Sequence, residues 1–209
     1  MRRLIICLAL PLFLAACEGG KHVWASDEAV REAAFVSGEA PSVTLFTVIG
    51  TTTGGGGHSA LMIDGTQRVI FDPAGSWYHP WVPERNDVDY GITERMYKFY
   101  IDYHARETWF VREQKVPVTL EQAELIRARA EAAGPVGQMF CASSVSGILH
   151  DVPGFESIPR TMMPLKLSAA FGELPGVTTD DHYDNDPDDN SGVLMVEQEI
   201  AKHGAPEWF

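Results

Sequence analysis

Two short apolar segments joined by Asp64-Gly65 constrain this chain more than any other feature. His58–Ile63 reads HSALMI and Arg68–Phe71 reads RVIF. Both have strand length and composition, and an Asp-Gly pair between such segments is a strong hairpin signal. With a two-residue turn, the pairing brings His58, at the start of the first strand, close to Asp72, just past the end of the second. The segment before the hairpin, TTTGGGG from Thr51 to Gly57, is a flexible loop running directly into His58. It lacks the GK[ST] ending of a phosphate loop, so nucleotide binding there is not expected. Its glycines suit a backbone passing close to a cleft, or a mobile rim.

The rest of the chain can be read around that hairpin. SVTLFTVI, from Ser42 to Ile49, is β-branched and apolar and predicts a strand. Residues 73–91 carry prolines, tryptophans and charges without period and read as a long surface loop. Met96–Tyr103 and Thr108–Val118 read as two more strands, with Pro117 at an edge or a strand end. Thr119 and Gln122 form a capping-box pattern opening a helix, in which Leu120, Ala123, Ile126 and Ala130 share a face, and Gly134-Pro135 ends it. Further helices are expected at Cys141–His150 and at Pro164–Glu173, where Pro164 suits the first turn. A short helix is expected from Asp27, as N-cap, to a stop near Gly38. Residues 178–190 read as an acidic loop and Val193–His203 as a last helix.

Residues 1–17, MRRLIICLALPLFLAAC, combine two arginines with an apolar run that ends in small residues, the pattern of an export signal. Leu14-Ala15-Ala16-Cys17 is similar to the lipobox of bacterial lipoproteins, which implies cleavage before Cys17 and its acylation, so that the bilayer is a partner through Cys17. Glu18 is not the inner-membrane retention signal of enteric lipoproteins, which favours the outer membrane of a cell envelope. Loss of residues 1–16 removes Arg2 and Arg3, so the formal charge of -13 becomes -15. A chain this acidic, without a basic stripe, is not a nucleic-acid binder. Of three cysteines, Cys7 leaves with the signal and Cys17 is the anchor, which leaves Cys141 without a disulfide partner and marks it as a reactive candidate.

Cys141 follows GPVGQMF at the expected start of a helix. Free N–H groups and the positive end of the helix dipole would favour its thiolate and could hold an oxyanion. His58 is the candidate base and Asp72 the candidate orienting residue of a Cys-His-Asp site. Structural roles for Cys141, as a buried small side chain, and for His58 are the alternatives.

GGHSALMID, then RVIFDPAG, and much later GQMFCASSVSGIL resemble the circularly permuted branch of the NlpC-like papain-fold hydrolases, which includes YiiX-type proteins and the lecithin–retinol acyltransferase group. There the histidine opens a strand, a polar residue follows on the next strand, and the cysteine comes last at a helix start. The same order holds for His58, Asp72 and Cys141. That branch more often carries histidine or glutamate where Asp72 stands. The resemblance covers residues 42–175. It implies an α+β, papain-like antiparallel sheet packed against helices, and a cysteine hydrolase acting on a cell-wall peptide or another acyl substrate, without a cofactor. The alternative is a non-catalytic envelope protein that keeps the fold for binding or scaffolding. The expected organisation is a signal peptide over 1–16, a lipidated tether with a short helix over 17–40, one permuted papain-like domain over 41–176, and an acidic loop with a helix over 177–209.

Two rival motifs remain. Asp186, Asp188, Asn190 and Glu197 have calcium-loop offsets, but Ser191 stands where the turn needs glycine, so a solvated acidic loop is the reading. His79, His104, His150 and His182 make no compact zinc spacing, and no metal site is expected. Trp77, Tyr78 and Trp81 suit a hydrophobic lid or partial core, or else the wall of a substrate groove.

Overall fold

A computed structural model describes residues 20–189. The signal peptide, Cys17, the helix expected at Val193–His203, and Asn190 and Glu197 of the acidic tail lie outside the described residues. The elements in chain order are α1 (Asp27–Ala33), β1 (Ser42–Gly50), β2 (Gly56–Asp64), β3 (Arg68–Phe71), β4 (Glu84–Arg85), β5 (Val88–Tyr90), α2 (Glu94–His104), β6 (Trp109–Pro117), α3 (Leu120–Ala132), α4 (Cys141–His150), α5 (Pro164–Gly172) and β7 (Thr178–Tyr183). The seven strands form one antiparallel sheet in the order β4-β5-β3-β2-β1-β6-β7. It is a single α+β domain.

Every residue of β1 is buried because both faces of the sheet are covered. Side chains alternate across a strand, so Val43, Leu45, Leu61 and Ile63 join a core with Ala123 and Ile126 of α3, Val145 and Leu149 of α4, and Phe171 of α5. Phe46, Val48, Ala60 and Met62 point the other way, into a second core with Met96 and Tyr100 of α2 and with Trp77. This double burial is why β1 and β2 read as near-continuous apolar runs rather than alternating ones.

The hairpin forms with β2 and β3 in register Asp64↔Arg68 to Leu61↔Phe71, joined by three residues rather than two. The buried Arg68 guanidinium donates to Asp64 Oδ2 at 2.8 Å and also meets Glu94. The capping box at Thr119 is complete: Gln122 N donates to Thr119 Oγ1 at 3.1 Å, and Thr119 N to Gln122 Oε1 at 2.7 Å. Pro117 ends β6, a strand flanked by β1 and β7 and therefore not an edge. At α1 the N-cap is Ser26 rather than Asp27, and the helix stops at Ala33, ahead of Gly38.

Three expectations are corrected. Met96–Tyr103 is helix, not strand: Thr93 Oγ1 caps α2 by accepting from Met96 N, and Met96, Tyr100 and Tyr103 recur at helical spacing on the buried face. Its many aromatics imitate strand composition, and tertiary burial of one stripe overrides that propensity. The loop over 73–91 contains β4 and β5, which turn through Asn86-Asp87, with Asn86 at φ 46° in the left-handed region that such two-residue turns use. The acidic segment from Thr178 forms β7. It has no apolar alternation and is held to β6 by side-chain pairs, with Arg112 donating twice to Asp181 at 2.8 Å and His182 Nε2 lying 2.8 Å from Glu113. Its acidic, exposed surface suits an edge that must not recruit another strand. No helix among the described residues is long and apolar enough to cross a membrane.

Candidate functional site

His58 enters the site on β2. Gly57 beside it is crowded by the Trp109 ring, where a Cβ would stand 2.8 Å away, and this accounts for glycine next to the histidine. If the β2–β3 register is carried one residue past Phe71, Asp72 falls opposite Ala60, on the same face as His58 and diagonal to it. Diagonal neighbours are within reach of long side chains. His58 Nε2 lies 2.6 Å from Asp72 Oδ1. The same carboxylate oxygen accepts from the Tyr100 hydroxyl at 2.8 Å, and the Asp72 N–H donates to Asp87 O at 2.8 Å. Asp72 is thus held by a strand end, a helix and a hairpin.

Cys141 is the first residue of α4. The N-cap, Phe140, supplies no side-chain acceptor, so the first N–H groups of the helix stay available. The preceding turn is tight, with Phe140 N donating to Gly137 O at 3.3 Å and Met139 held at φ 72°. For a non-glycine residue this is a strained conformation, of the kind that gathers at functional sites. The groups that act on the sulfur are His58 and the backbone N–H groups of Ser59 and Ala142. With Nε2 committed to Asp72, Nδ1 is the imidazole nitrogen left for the sulfur.

The electrostatics follow from these contacts. Burial alone would push the His58 imidazolium down, but the Asp72 charge and hydrogen bond, joined by Cys141, hold it at about 10. Burial would raise the Cys141 thiol, and His58 with the two backbone N–H groups brings it below its ordinary value. Burial would also raise Asp72, and His58, His104 and Tyr100 keep it low. Together these contacts pull the thiol toward its thiolate and the imidazole toward its protonated form, with a carboxylate behind them.

Sequence reasoning missed His104. Its ring stacks on that of His58, with centroids 5.8 Å apart and planes 10° from parallel, and its Nδ1–H donates to Tyr100 O at 2.8 Å. Burial, outweighing Asp72, lowers it to about 4, so it packs against His58 as a neutral ring. The i, i+4 spacing of Tyr100 and His104 on one helix face was the available signal, hidden while the segment read as a strand. Atoms of His58, Asp72 and His104 lie within 4.8 Å of one another, as metal ligands would. The 2.6 Å contact between His58 and Asp72 is shorter than the roughly 3.3 Å between two ligands of a tetrahedral ion bound at about 2.0 Å. The trio is therefore a hydrogen-bonded His58–Asp72 pair with His104 stacked beside it. A second trio, Asp102, Asp184 and Asp186, is also compact, and Arg106 pairs with both Asp102 and Asp186. The calcium-loop residues Asp186 and Asp188 bond to Arg106 and Thr108 and dock the tail on β6.

A cavity of about 1380 Å³ adjoins the site at Asp72 and at Phe140, the residue before Cys141. Asp72 and Phe140 are on its wall, as are Trp77 and Tyr78, while Cys141 is 6 % exposed. Trp77 is core and Tyr78 is exposed, so the aromatic run divides between the two roles open to it, and Trp81 stays at the surface. The structure brings His58, Asp72 and Cys141, far apart in sequence, into one site. No family model, curated protein or solved structure matches this chain.

Proposed function

We propose that the chain is a cysteine hydrolase of the permuted papain-like class, lipid-anchored in the cell envelope through Cys17 and cleaving an amide or ester bond. The observation that carries this is the 2.6 Å His58–Asp72 pair with Cys141 beside the imidazole at the start of α4, the thiol lowered and the imidazole raised. The chain order of the three residues, an antiparallel sheet bearing the histidine and a helix opening on the cysteine support the family reading. The Cys141 thiolate attacks the carbonyl carbon, and the negative charge moves to the carbonyl oxygen, near the N–H groups at the start of α4. The His58 imidazolium then gives its proton to the departing amine or alcohol, leaving a thioester on Cys141. Water attacks the thioester while His58 takes its proton, the carboxylic acid leaves, and the ion pair is restored. Asp72 orients the ring and stabilises its charge throughout. An envelope location supports a peptidoglycan peptide as substrate, and the family reading supports another acyl substrate equally.

Iodoacetamide tests this reading. Rapid alkylation of Cys141 at pH 7, abolished in Cys141→Ala, is the expected result, and slow labelling of the folded wild type would sink it. The slight exposure of Cys141 favours a second reading, a non-catalytic binding or scaffold protein, for which slow labelling is the expected result. For the anchor, labelled palmitate should enter the wild type, and unchanged incorporation in Cys17→Ala would contradict it.

A further inference from the structure

The cavity that Asp72 and Phe140 share with the site has an acidic wall that the hydrolytic chemistry leaves unexplained. Asp72, Glu84, Asp87 and Asp89 all line it, and among the described residues Lys21 is the one cationic side chain on the wall. Asp87 is fixed there, since its Oδ2 accepts from Val136 N at 2.6 Å. Asp89 stands apart. In β5 its neighbours Val88 and Tyr90 enter the core under α3 and α4, so alternation turns Asp89 to the opposite face, level with its partner Ile70. It is 3 % exposed, and among the described residues it accepts no hydrogen bond and makes no ion pair. A buried carboxylate is ordinarily paired. This one lines a cavity and faces only other acids: burial first, then the charges of Asp72, Glu84 and Asp87, push it well above the usual carboxylate range. The same causes raise Asp87 to about 6 and also raise Glu84.

We propose that this cavity receives an ammonium-bearing group of the substrate, with Asp89 as the buried carboxylate that pairs with it. The inference rests on the hydrolase reading and assigns that site a substrate class: an acyl compound carrying a primary amine near the scissile bond. An organic ammonium fits better than a metal ion. The four carboxylates are spread along the wall, and none but Asp72 belongs to the groups, among the described residues, whose ligand atoms converge within 4.8 Å. An ammonium has three donors to distribute among separated acceptors. Trp77, Tyr78 and Phe140 on the same wall suit the apolar stem that carries such a charge.

The test reads the field at Cys141 with three methanethiosulfonates at pH 7.5: aminoethyl (cationic), methyl (neutral) and sulfonatoethyl (anionic). The full chain is used, and modification is read by mass spectrometry on the tryptic peptide that follows Arg129 and ends at Arg160, which isolates Cys141. The ratio of cationic to neutral rates cancels the thiolate fraction. The expected ratio exceeds that of N-acetylcysteine amide by about tenfold, with the anionic reagent slower than the neutral one. It is expected to fall about threefold in Glu84→Gln and also in Asp89→Asn, because an arriving ammonium draws the Asp89 carboxyl into its ionised form, and to hold in Asp180→Asn, an exposed carboxylate of β7 that controls for overall charge. If Asp89→Asn does not fold, Glu84→Gln decides. A fast neutral reaction whose ratio is unmoved by these variants, or moved as much by Asp180→Asn, overturns the ammonium pocket and leaves the hydrolase reading standing. Slow reaction with all three reagents overturns the hydrolase reading, and the pocket assignment falls with it.

Discussion

Gly75 packs so tightly against Asp72 that a Cβ built on it would stand well inside 3.0 Å of the Asp72 carboxylate. The chain turns back on itself there, Gly75 N donating to Asp72 O at 3.0 Å. Asp72 cannot yield freely, because its Oδ1 is held by both His58 and Tyr100. Gly75→Ala should therefore move the carboxylate off the imidazole while leaving both cores intact. Displacement of a catalytic group by about 1 Å can cost about 100-fold. The expected outcome is a loss of that order in hydrolysis or in Cys141 alkylation, with far-ultraviolet circular dichroism unchanged. Wild-type rates in this variant would show that Asp72 does not position His58.

The pH profile of Cys141 alkylation follows from the two shifts. The thiol lies below its ordinary value and the imidazolium at about 10, so the ion pair is favoured between the two titrations. The acid limb of the rate should therefore lie below the ordinary thiol range, where the lowered thiol is protonated. In His58→Ala the main group lowering the thiol is gone while burial still raises it, so the acid limb should move to higher pH and the rate at pH 7 should fall. Stopped alkylation followed by mass spectrometry measures both curves.

Tyr100→Phe removes the hydroxyl that donates to Asp72 at 2.8 Å and leaves the ring packed against Phe46 and Trp77. A hydrogen bond to a charged acceptor contributes about 2 kcal/mol. Urea denaturation should show a loss of about that size, and the alkylation profile should shift far less than in His58→Ala. An equal shift would place Tyr100 in the proton chain itself.

Stability should depend on pH through His104. Its folded pKa, about 4, lies below the unfolded value near 6.5. The unfolded chain binds the extra proton between those limits, so this contribution is complete above pH 6.5 and is lost as pH falls toward 4. Comparing wild type with His104→Gln isolates it: the difference in unfolding free energy should shrink from pH 7 to pH 4.5. A constant difference would mean that His104 is not buried in its neutral form.

Arg68 is the buried partner of Asp64, which also accepts from the Ser37 hydroxyl at 2.9 Å. Removing one member of a buried pair leaves an uncompensated charge and costs about 3–5 kcal/mol. Arg68→Met should lose stability in that range, and Arg68→Met with Asp64→Leu should recover much of it. Equal losses in the single and double variants would count against the pair.

Features written in neighbouring residues were legible in the sequence. Thr119 and Gln122 close a capping box within one turn, Asp64-Gly65 opens a hairpin, and Cys141 starts a helix after a glycine–proline segment, because each rests on contacts only a few residues apart. Those contacts also brought His58 and Asp72 near each other in principle. Tertiary structure decided whatever depends on distant partners. It made Met96–Tyr103 a helix by burying Met96, Tyr100 and Tyr103 together, and it made β7 a strand through Arg112 and Glu113. It stacked His104 on His58. It also gathered Asp72, Glu84, Asp87 and Asp89 along one cavity, with Asp89 left unpaired among the described residues, because a hairpin set beside β3 turns alternate side chains to opposite faces. Local propensity cannot encode that choice of face; burial of the whole sheet makes it.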